Sequence, residues 1–254
     1  MSSPEPKELA VVVGGNGALG SAIVDALVAA GLRVISVARS AGAPVEEGSE
    51  RSRGVIPLAA DLSRDEAIDH IRAVVDLPVA MVVHAPGVPV AGGVLDAPAS
   101  LLGEACNIKA GGFLRLVRAV DHRLRDKSRL VAIGGHYGFE PTAYAATAGV
   151  ANAALANLVR QMSWAYGPRG VTAHLVAPGP ADTERLHNVA GARAAREGKD
   201  VEGVLADMRA ESAIGALVEP AQVAWAVRNL LDPEADALAG STLFLDAGRR
   251  RAVP

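Results

Sequence analysis

A glycine-rich run near the amino end carries the clearest chemical signal in the sequence. Residues 11–13 are valines, and Gly14, Gly15, Gly17 and Gly20 follow at once. Glycine lets a backbone take a positive φ and approach a ligand closely, and the free N–H groups of a following helix favour a phosphate. Because the run joins a strand pattern to a helix pattern, it predicts a dinucleotide site. The cofactor contacts expected here are Gly14, Asn16, Gly17, Ala18, Leu19 and Gly20.

The residues after the second strand pattern favour NADP(H) over NAD(H). In dinucleotide folds, an acidic residue about twenty positions beyond the glycine turn binds the ribose 2′-hydroxyl of NAD. Here Ala38 is followed by Arg39 and Ser40, which offer a cation and no carboxylate. A guanidinium suits a 2′-phosphate, although an ordinary surface arginine gives the same pattern. Asp61 and Leu62, after the third strand pattern, are expected beside the adenine ring.

Strand and helix patterns alternate along the whole chain. Apolar strands between helices predict a parallel sheet that is covered on both faces and joined by right-handed crossovers. We therefore expect an α/β fold with a Rossmann-like, doubly wound sheet of seven parallel strands and helices on both faces, as a single domain over residues 1–254. The predicted strands are 10–13, 33–37, 55–59, 80–84, 130–133, 171–176 and 242–245.

Helix patterns fill the intervals between these strands. Ser63 and Glu66 have the spacing of a capping box, which predicts a helix start. The predicted helices include 21–30, 65–75, 101–124 and 145–166.

Two long connections interrupt the pattern, at residues 41–54 and 182–212. Connections of that length usually cover a site or lack order, so the second is the candidate substrate lid. Its basic side chains suit an anionic group, although a solvated face is the expectation we prefer. These side chains are Arg185, His187, Arg193 and Arg196.

Composition narrows the class of protein. A length of 254 residues suits one large α/β domain, and a hydrophobic share of 50% with 3% aromatic residues predicts a core of Ala, Val and Leu. A net charge of −3 gives no reason to expect nucleic acid or an anionic membrane as partner. Cys106 is the single cysteine, so a reducing, cytoplasmic location is expected. No apolar run reaches the length of a membrane span, and we expect no metal site.

These features, in this order, resemble the short-chain dehydrogenase/reductase family over nearly the whole chain. The run 14–20 resembles the family's glycine turn, and residues 84–87 stand where the family has Asn-Asn-Ala-Gly. Residues 177–183 resemble the loop that clasps the nicotinamide, and 240–248 resemble the last strand. The resemblance implies further cofactor contacts at Ala85, Pro86, Gly87, Asn107, Tyr144, Pro178, Gly179 and Thr183.

The same resemblance implies which residues do the chemistry. In the family, tyrosine transfers the substrate proton, serine holds the carbonyl oxygen, lysine in a Tyr-x-x-x-Lys pattern grips the ribose, and asparagine supports a proton path. Asn107 and Tyr144 match the asparagine and tyrosine. Gly135 stands at the serine place and Ala148 at the lysine place, so both of these groups are absent. The link from Gly135 to Tyr144 is shorter than is usual by about one helical turn.

The surviving tyrosine favours reduction over oxidation. A tyrosine with no lysine beside it stays protonated near neutral pH, and carbonyl reduction needs that proton. His136 and Tyr137, next to Gly135, are candidate hydrogen-bond donors to the developing oxyanion, or they only line the loop. We therefore expect a slow NADPH-dependent reductase of a small carbonyl or related substrate, with Tyr144 as proton donor.

Two other functions remain open from the sequence. One is a redox-silent NADP(H)-binding protein with a structural or sensing role. The other is a non-redox enzyme, for dehydration or cyclisation, that uses His136 and Tyr144 as acid and base. The family resemblance also implies a homodimer or homotetramer that pairs the two long helices.

Overall fold

The computed structural model describes residues 6–40, 54–88 and 92–251. The strands in these residues are β1 Leu9–Val13, β2 Arg33–Ala38, β3 Val55–Ala59, β4 Val79–His84, β5 Leu124–Ile133, β6 Thr172–Pro178 and β7 Thr242–Leu245. All of them pair in parallel, in the order β3-β2-β1-β4-β5-β6-β7. The predicted seven-stranded, doubly wound α/β sheet is therefore confirmed.

Helices cover both faces of this sheet. In the described residues they are α1 Ala18–Ala29, α2 Ala67–Arg72, α3 Ala99–Cys106, α4 Gly112–Val120, α5 Ala146–Tyr166, α6 Glu184–Glu197, α7 Val201–Ala210 and α8 Pro220–Asn229. A π-helical segment, Asn107–Gly111, joins α3 to α4. The predicted helix 101–124 ends early, because a short 3-10 turn, Asp121–Arg123, follows α4 and leads into β5.

Apolar side chains bury the sheet on both sides. Along β1, Leu9, Val11 and Val13 join the core formed with α2, α4 and α5. Ala10 and Val12 join the opposite core, formed with α1 and α8. Successive side chains of a strand point to opposite faces, so a strand covered on both sides must be apolar throughout. The continuous valine run of β1 follows from this requirement.

The order of the strands reverses at β1, which has β2 on one side and β4 on the other. In an open parallel sheet, such a reversal leaves a crevice at the carboxyl ends of the strands, where ligands bind. The segments that follow β1, β4, β5 and β6 therefore meet at one edge of the sheet.

Two local predictions are wrong. The capping box before α2 does not form, because Glu66 has helical backbone angles and makes no side-chain cap bond. The Ser63 backbone N–H instead donates to Asp61 Oδ1 over 3.0 Å.

The long connection 182–212 is mostly helical: it forms α6 and α7, which pack on each other through Ala190, Ala194, Val204, Leu205 and Met208. The other predicted connection, 41–54, lies outside the described residues except for Gly54.

Candidate active site at the carboxyl edge of the sheet

The glycine turn after β1 is closed tightly against its neighbours. Gly14 has a φ of +83°, and a methyl group built on it would lie 2.7 Å from the Ala85 carbonyl oxygen. A methyl group on Gly20 would collide with the Gly14 carbonyl, because α1 begins directly over the turn. Gly17 is the N-cap residue of α1, and it has no side chain that could bind the N–H groups of the first helical turn. The turn therefore has the backbone shape that lets a phosphate approach helix N–H groups.

The residues predicted for the adenosine end lie at one rim of the crevice. Asn16 Nδ2 donates to the Ser40 carbonyl over 3.3 Å. Hydrogen bonds from Ser63 lower the pKa of Asp61, and the exposed Arg39 guanidinium makes a smaller contribution in the same direction. The structure thus brings Asn16, Arg39, Ser40 and Asp61 into one neighbourhood.

The segment after β4 forms the floor of the crevice. The Ala85 N–H donates to the Val13 carbonyl over 3.0 Å and so ties residues 85–87 to the end of β1. The Arg185 guanidinium, from the first turn of α6, lies against Gly87 and donates to the Val88 carbonyl. Burial lowers the pKa of Arg185.

Asn107 begins the π-helical segment, and its side chain is held by structural contacts. Its Nδ2 donates to the Ser63 carbonyl over 2.9 Å, and its Oδ1 accepts from Arg115 Nη1 over 2.9 Å. Arg115 also donates to the carbonyl of buried Leu62 over 3.1 Å. Asn107 therefore links the loop after β3 to α4.

A buried histidine of β4 supports the same segment. His84 Nε2 donates to the Ile108 carbonyl over 3.0 Å, and a methyl group on Gly112 would lie 2.8 Å from His84 Cε1. Burial lowers the pKa of His84 to about 3, so the ring is neutral. Single π-helical turns within a helix often occur at functional sites, and this one positions the next residue, Lys109.

Lys109 is a buried cation that sequence reasoning missed. Its side chain is only 6% exposed, and Nζ donates to the Ile133 carbonyl at the end of β5 over 2.8 Å. Burial, and next the nearby Arg185 guanidinium, lower the pKa of Lys109 to about 7. In the sequence it reads as one more polar residue on a helix, so only the packing reveals its position.

Gly135, just after β5, faces Asn152 of α5. A methyl group on Gly135 would lie 2.9 Å from Asn152 Nδ2. Asn152 is buried, and its Oδ1 has no hydrogen-bond partner within the described part of the chain. Ala148, one helical turn earlier, instead packs near Cys106 and Ile108. The side chain opposite Gly135 is thus an amide that lacks a donor.

Two tyrosines form a hydroxyl pair in a cleft beside Gly135. Their hydroxyl oxygens, in Tyr137 and Tyr144, lie 3.0 Å apart, and the rings meet edge to face with centroids 5.8 Å apart. The Val94 N–H holds the backbone before Tyr144 by donating to the Ala143 carbonyl over 2.8 Å. The cleft has a volume of about 270 Å³ and is lined by His136, Tyr137, Glu140, Thr142, Tyr144, Glu211, Arg249 and Arg251.

His136 lies in this cleft as a neutral acceptor. Burial lowers the pKa of His136 to about 4, and the ring binds the Pro178 carbonyl. Because Nε2 has no partner in residues 6–40, 54–88 and 92–251, we infer that Nδ1 carries the proton that this carbonyl accepts, and that Nε2 keeps a free lone pair. The Thr142 hydroxyl is likewise buried without a partner among the described residues. The wall of the cleft therefore holds two buried polar atoms with unsatisfied hydrogen-bonding capacity.

The carboxyl-terminal arginine run is part of this wall. Arg249 is buried, forms an ion pair with Glu211, and donates to the Met208 carbonyl at the end of α7 over 3.1 Å. Its neighbour Arg250 stacks on the ring of Phe244, with 3.6 Å between the guanidinium carbon and the ring centroid. A run of three basic residues gives no sign of this in the sequence.

The predicted nicotinamide loop leads from β6 into α6. A methyl group on Gly179 would lie 3.0 Å from Asp246 Cα, so the loop passes close to the end of β7. Thr183 caps α6: its Oγ1 accepts from the Leu186 N–H over 3.3 Å and donates to the Ala181 carbonyl over 3.2 Å. His136 binds Pro178 at the start of this loop, so the tyrosine cleft and the loop adjoin.

Comparison with known proteins decides the family. A family model described as "Enoyl-(Acyl carrier protein) reductase" matches residues 14–250, from the glycine turn to the end of the last strand. The curated "Short-chain reductase protein NovJ" of Streptomyces niveus is 27% identical over 259 residues, which cover 96% of this chain and 94% of that protein. The chain belongs to the short-chain dehydrogenase/reductase family.

Other short-chain dehydrogenases/reductases are similar over the same length. The "3-oxoacyl-[acyl-carrier-protein] reductase MabA" of Mycobacterium avium is 26% identical over 243 residues, 94% of this chain and 88% of that protein. The L-sorbose reductase of Gluconobacter frateurii, solved with NADPH and L-sorbose, superposes with a TM-score of 0.86 at 19% identity, over 98% of each chain. An actinorhodin polyketide ketoreductase solved with NADPH also gives 0.86, at 23% identity, over 98% of this chain and 99% of that one.

Within the short-chain dehydrogenase/reductase fold, the predicted site residues fall into two groups. The glycine turn lies with Arg39, Ser40 and Asp61, whereas His136, Tyr137 and Tyr144 lie with the loop after β6. The Asn107 side chain joins neither group, since Ser63 and Arg115 hold it. Across the described residues, none of the helices is both long and apolar enough to cross a bilayer.

Proposed function

We propose that this short-chain dehydrogenase/reductase is an NADPH-dependent reductase of a small carbonyl compound. The observation that carries the proposal is the Tyr137–Tyr144 hydroxyl pair, 3.0 Å apart, in a cleft beside the loop after β6. A phenol hydroxyl that can donate its proton to the carbonyl oxygen of a bound substrate is the acid that carbonyl reduction needs. Relatives that are named reductases point the same way.

The crevice suits a dinucleotide. The closed glycine turn would hold the pyrophosphate at the start of α1, where the helix dipole favours negative charge. Arg39 would meet the 2′-phosphate, which is why NADP(H) is preferred over NAD(H). The unpaired Asn152 Oδ1 suits a ribose hydroxyl as its missing donor. The further contacts are assigned to Ala85, Pro86, Gly87, Pro178, Gly179 and Thr183.

Tyr144 delivers the proton in this proposal. When bound, NADPH supplies a hydride to the carbonyl carbon, and the carbonyl oxygen takes a proton to become the alcohol. Burial, then the hydrogen bond with Tyr144, raise the pKa of Tyr137, so Tyr137 stays protonated and can donate to Tyr144. The Tyr144 hydrogen is then free to point into the cleft towards the substrate oxygen.

The role we propose for His136 differs from the oxyanion donor expected from the sequence. Its unpaired Nε2 accepts hydrogen bonds at neutral pH, so it would orient a hydroxyl or N–H of the substrate rather than stabilise an oxyanion. Thr142 offers a second polar contact in the same cleft. These contacts favour a polar group next to the carbonyl.

The placement of Gly135 bears on how the family's catalytic group has changed. The link from Gly135 to Tyr144 is about one helical turn shorter than is usual in the family. If the alignment with the family is moved by that one turn, Ala148 stands at the tyrosine place and Asn152 at the lysine place. The approach of Gly135 to Asn152 favours that shift. In either alignment the serine and lysine are missing, and Tyr144 acts from the loop before α5.

We assign the lid role to α6 and α7, and we expect a homodimer or homotetramer. The direct test of the proposed function is whether hydride passes from NADPH to a carbonyl compound, and whether Tyr144→Phe stops turnover without loss of NADPH binding.

A further inference from the structure

Two cations lie at neighbouring strand ends of the crevice. Lys109 Nζ binds the Ile133 carbonyl at the end of β5, and the Arg185 guanidinium binds the Val88 carbonyl past the end of β4. β4 and β5 are adjacent, with His84 paired to Ala132, and adjacent strands lie about 4.8 Å apart. The two cations are close enough for Arg185 to lower the pKa of Lys109.

Neither cation is neutralised within the part of the chain that the structure describes. The ion pairs of the described residues include neither Lys109 nor Arg185, and the bonds of both go to neutral carbonyl groups. Among the described residues, no carboxylate acts on the pKa of either side chain. A desolvated cation without a counter-charge is unfavourable, so buried Lys109, with the exposed Arg185 guanidinium near it, favours an anionic ligand.

We propose that Lys109 and Arg185 together bind an anionic oxygen group, a carboxylate or a phosphate, of a ligand in this crevice. The inference rests on the proposed function for the place of the ligand, and it adds the ligand's charge. Arg185 presents a planar guanidinium suited to two anionic oxygens, and Lys109, when protonated, adds a compact charge at the neighbouring strand end. Arg185, which we expected on a solvated face, would thus belong to the site.

Binding of an anion at this place must be coupled to a proton. Lys109 is mostly neutral above about pH 7, and a bound anion would raise its pKa, so the protein takes up a proton when it binds the anion. Well below pH 7 the amine is already charged, and the uptake disappears. The other charged or titratable groups that face Lys109 are Arg185 from α6 and neutral His84 from β4. The α5 side chains packed against the π-helical segment, Ala148 and Ala151, are apolar.

Calorimetry in two buffers of different ionisation enthalpy measures this uptake. One arm titrates NADPH into the protein, and the other titrates acetoacetate into protein saturated with NADP⁺, both at about pH 8. Acetone, which has the same carbonyl without a carboxylate, is the matched neutral ligand. We expect an uptake close to one proton in one arm and none with acetone. The NADPH arm would assign the anion to the cofactor, and the acetoacetate arm to the substrate.

Two variants test the assignment to residues. Lys109→Met should abolish the uptake, and Arg185→Gln should weaken binding in the same arm by about tenfold or more. Arg185 is exposed on α6, so its variant keeps the test valid if Lys109→Met fails to fold. Arg196→Gln, on the same helix, is the matched control and should leave both readings unchanged.

Absence of proton uptake in both arms, or uptake that persists in Lys109→Met, overturns the inference. So does an Arg185→Gln variant that binds both ligands as well as the unchanged protein does. Because every reading is a binding measurement, an intact anion site in a protein that never transfers hydride would defeat the proposed function alone.

Discussion

The Tyr137 and Tyr144 hydroxyl oxygens lie 3.0 Å apart in a cleft that His136 joins to the loop after β6. The pair gives Tyr144 a hydrogen-bond partner at a place where the sequence leads us to expect neither the family's serine nor its lysine. In the proposed mechanism Tyr137, whose pKa is raised by burial and by its bond with Tyr144, donates in this pair and leaves the Tyr144 proton for transfer. The two tyrosines therefore have different roles in the proposed mechanism, and the kcat values of their Phe variants measure the difference.

Removal of the Tyr144 hydroxyl should stop catalysis without harming cofactor binding. We expect Tyr144→Phe to lower kcat by about a hundredfold or more, because a positioned acid contributes that much. Tyr137→Phe should cost less, since it removes only the orienting bond. Stopped-flow NADPH oxidation measures kcat, and fluorescence titration measures the dissociation constant of NADPH.

Tyr166→Phe is the control for these changes, because Tyr166 lies at the far end of α5. Equal kcat values for Tyr144→Phe and the unchanged protein would remove Tyr144 from the mechanism.

Asn152→Leu should separate stability from cofactor affinity. Asn152 Oδ1 is buried and finds no partner in the residues that the structure describes, so its loss should leave the free energy of unfolding unchanged or raise it by about 1 kcal/mol. The dissociation constant of NADPH should rise by about tenfold, since the acceptor for the ribose is gone. Urea denaturation and fluorescence titration give the two quantities.

The matched substitution on the same helix is Asn157→Leu, at an exposed position, and it should not change NADPH affinity. Unchanged affinity in Asn152→Leu as well would show that Asn152 does not contact the cofactor.

Arg39→Gln should discriminate between the two nicotinamide cofactors. A guanidinium–phosphate contact would be lost for NADPH only, so its affinity should fall by about tenfold or more while that of NADH changes little. Arg228→Gln, on α8, serves as the control for a general loss of positive charge. If NADPH and NADH lose affinity equally, Arg39 does not contact the 2′-phosphate.

Acid should destabilise the fold through its buried histidines. Burial lowers the pKa of His84 to about 3 and those of His136 and His174 to about 4. In the unfolded chain histidine titrates near 6.5, so below that pH the unfolded state binds more protons and the free energy of unfolding falls. The loss should run from about pH 6.5 down to about pH 4 for His136 and His174, and down to about pH 3 for His84. Lys109, charged in both states there, contributes only above about pH 7.

His174 gives the clearest single-site test of this pH dependence. Its Nδ1 donates to the Leu238 carbonyl over 3.1 Å, and its Nε2 accepts from Thr172 Oγ1 over 2.7 Å. A second proton would occupy Nε2, so that this nitrogen could no longer accept from Thr172, and it would place a buried positive charge near Arg129. His174→Gln should therefore make stability fall less steeply with acid in urea denaturation, whereas His122→Gln, at an exposed site, is the control. An unchanged slope in His174→Gln would contradict the assignment.

The fold could be predicted because its signals are local. The valines of β1, the glycine turn and the alternation of strand and helix each appear within a short window of sequence. The predicted capping box before α2 does not form, because the Ser63 backbone N–H binds Asp61 instead. Residue spacing alone does not reveal this competing hydrogen bond. The charged segment 182–212 forms helices because α6 and α7 bury an alanine-rich face against each other.

The polar residues of the site were harder to predict. Lys109, Asn152 and Arg249 are buried by segments that are distant in the chain, so nothing in their own neighbourhood marks them. Tyr137 and Tyr144 were each candidates from the sequence, but their hydrogen bond was not predicted. That bond depends on the loop before α5, which brings the two hydroxyl groups together. Local pattern thus predicts the frame of the site, and tertiary packing determines its chemistry.

Transfer of deuterium from NADPH tests the central claim most directly. The protein is incubated with NADPH that carries deuterium at both hydrogen positions of the nicotinamide C4 and with a panel of small ketones and aldehydes, and the alcohols are analysed by mass spectrometry. The account predicts an alcohol that carries one deuterium, formed by the unchanged protein and largely lost in Tyr144→Phe. Tight NADPH binding with no labelled product from any carbonyl compound would contradict it.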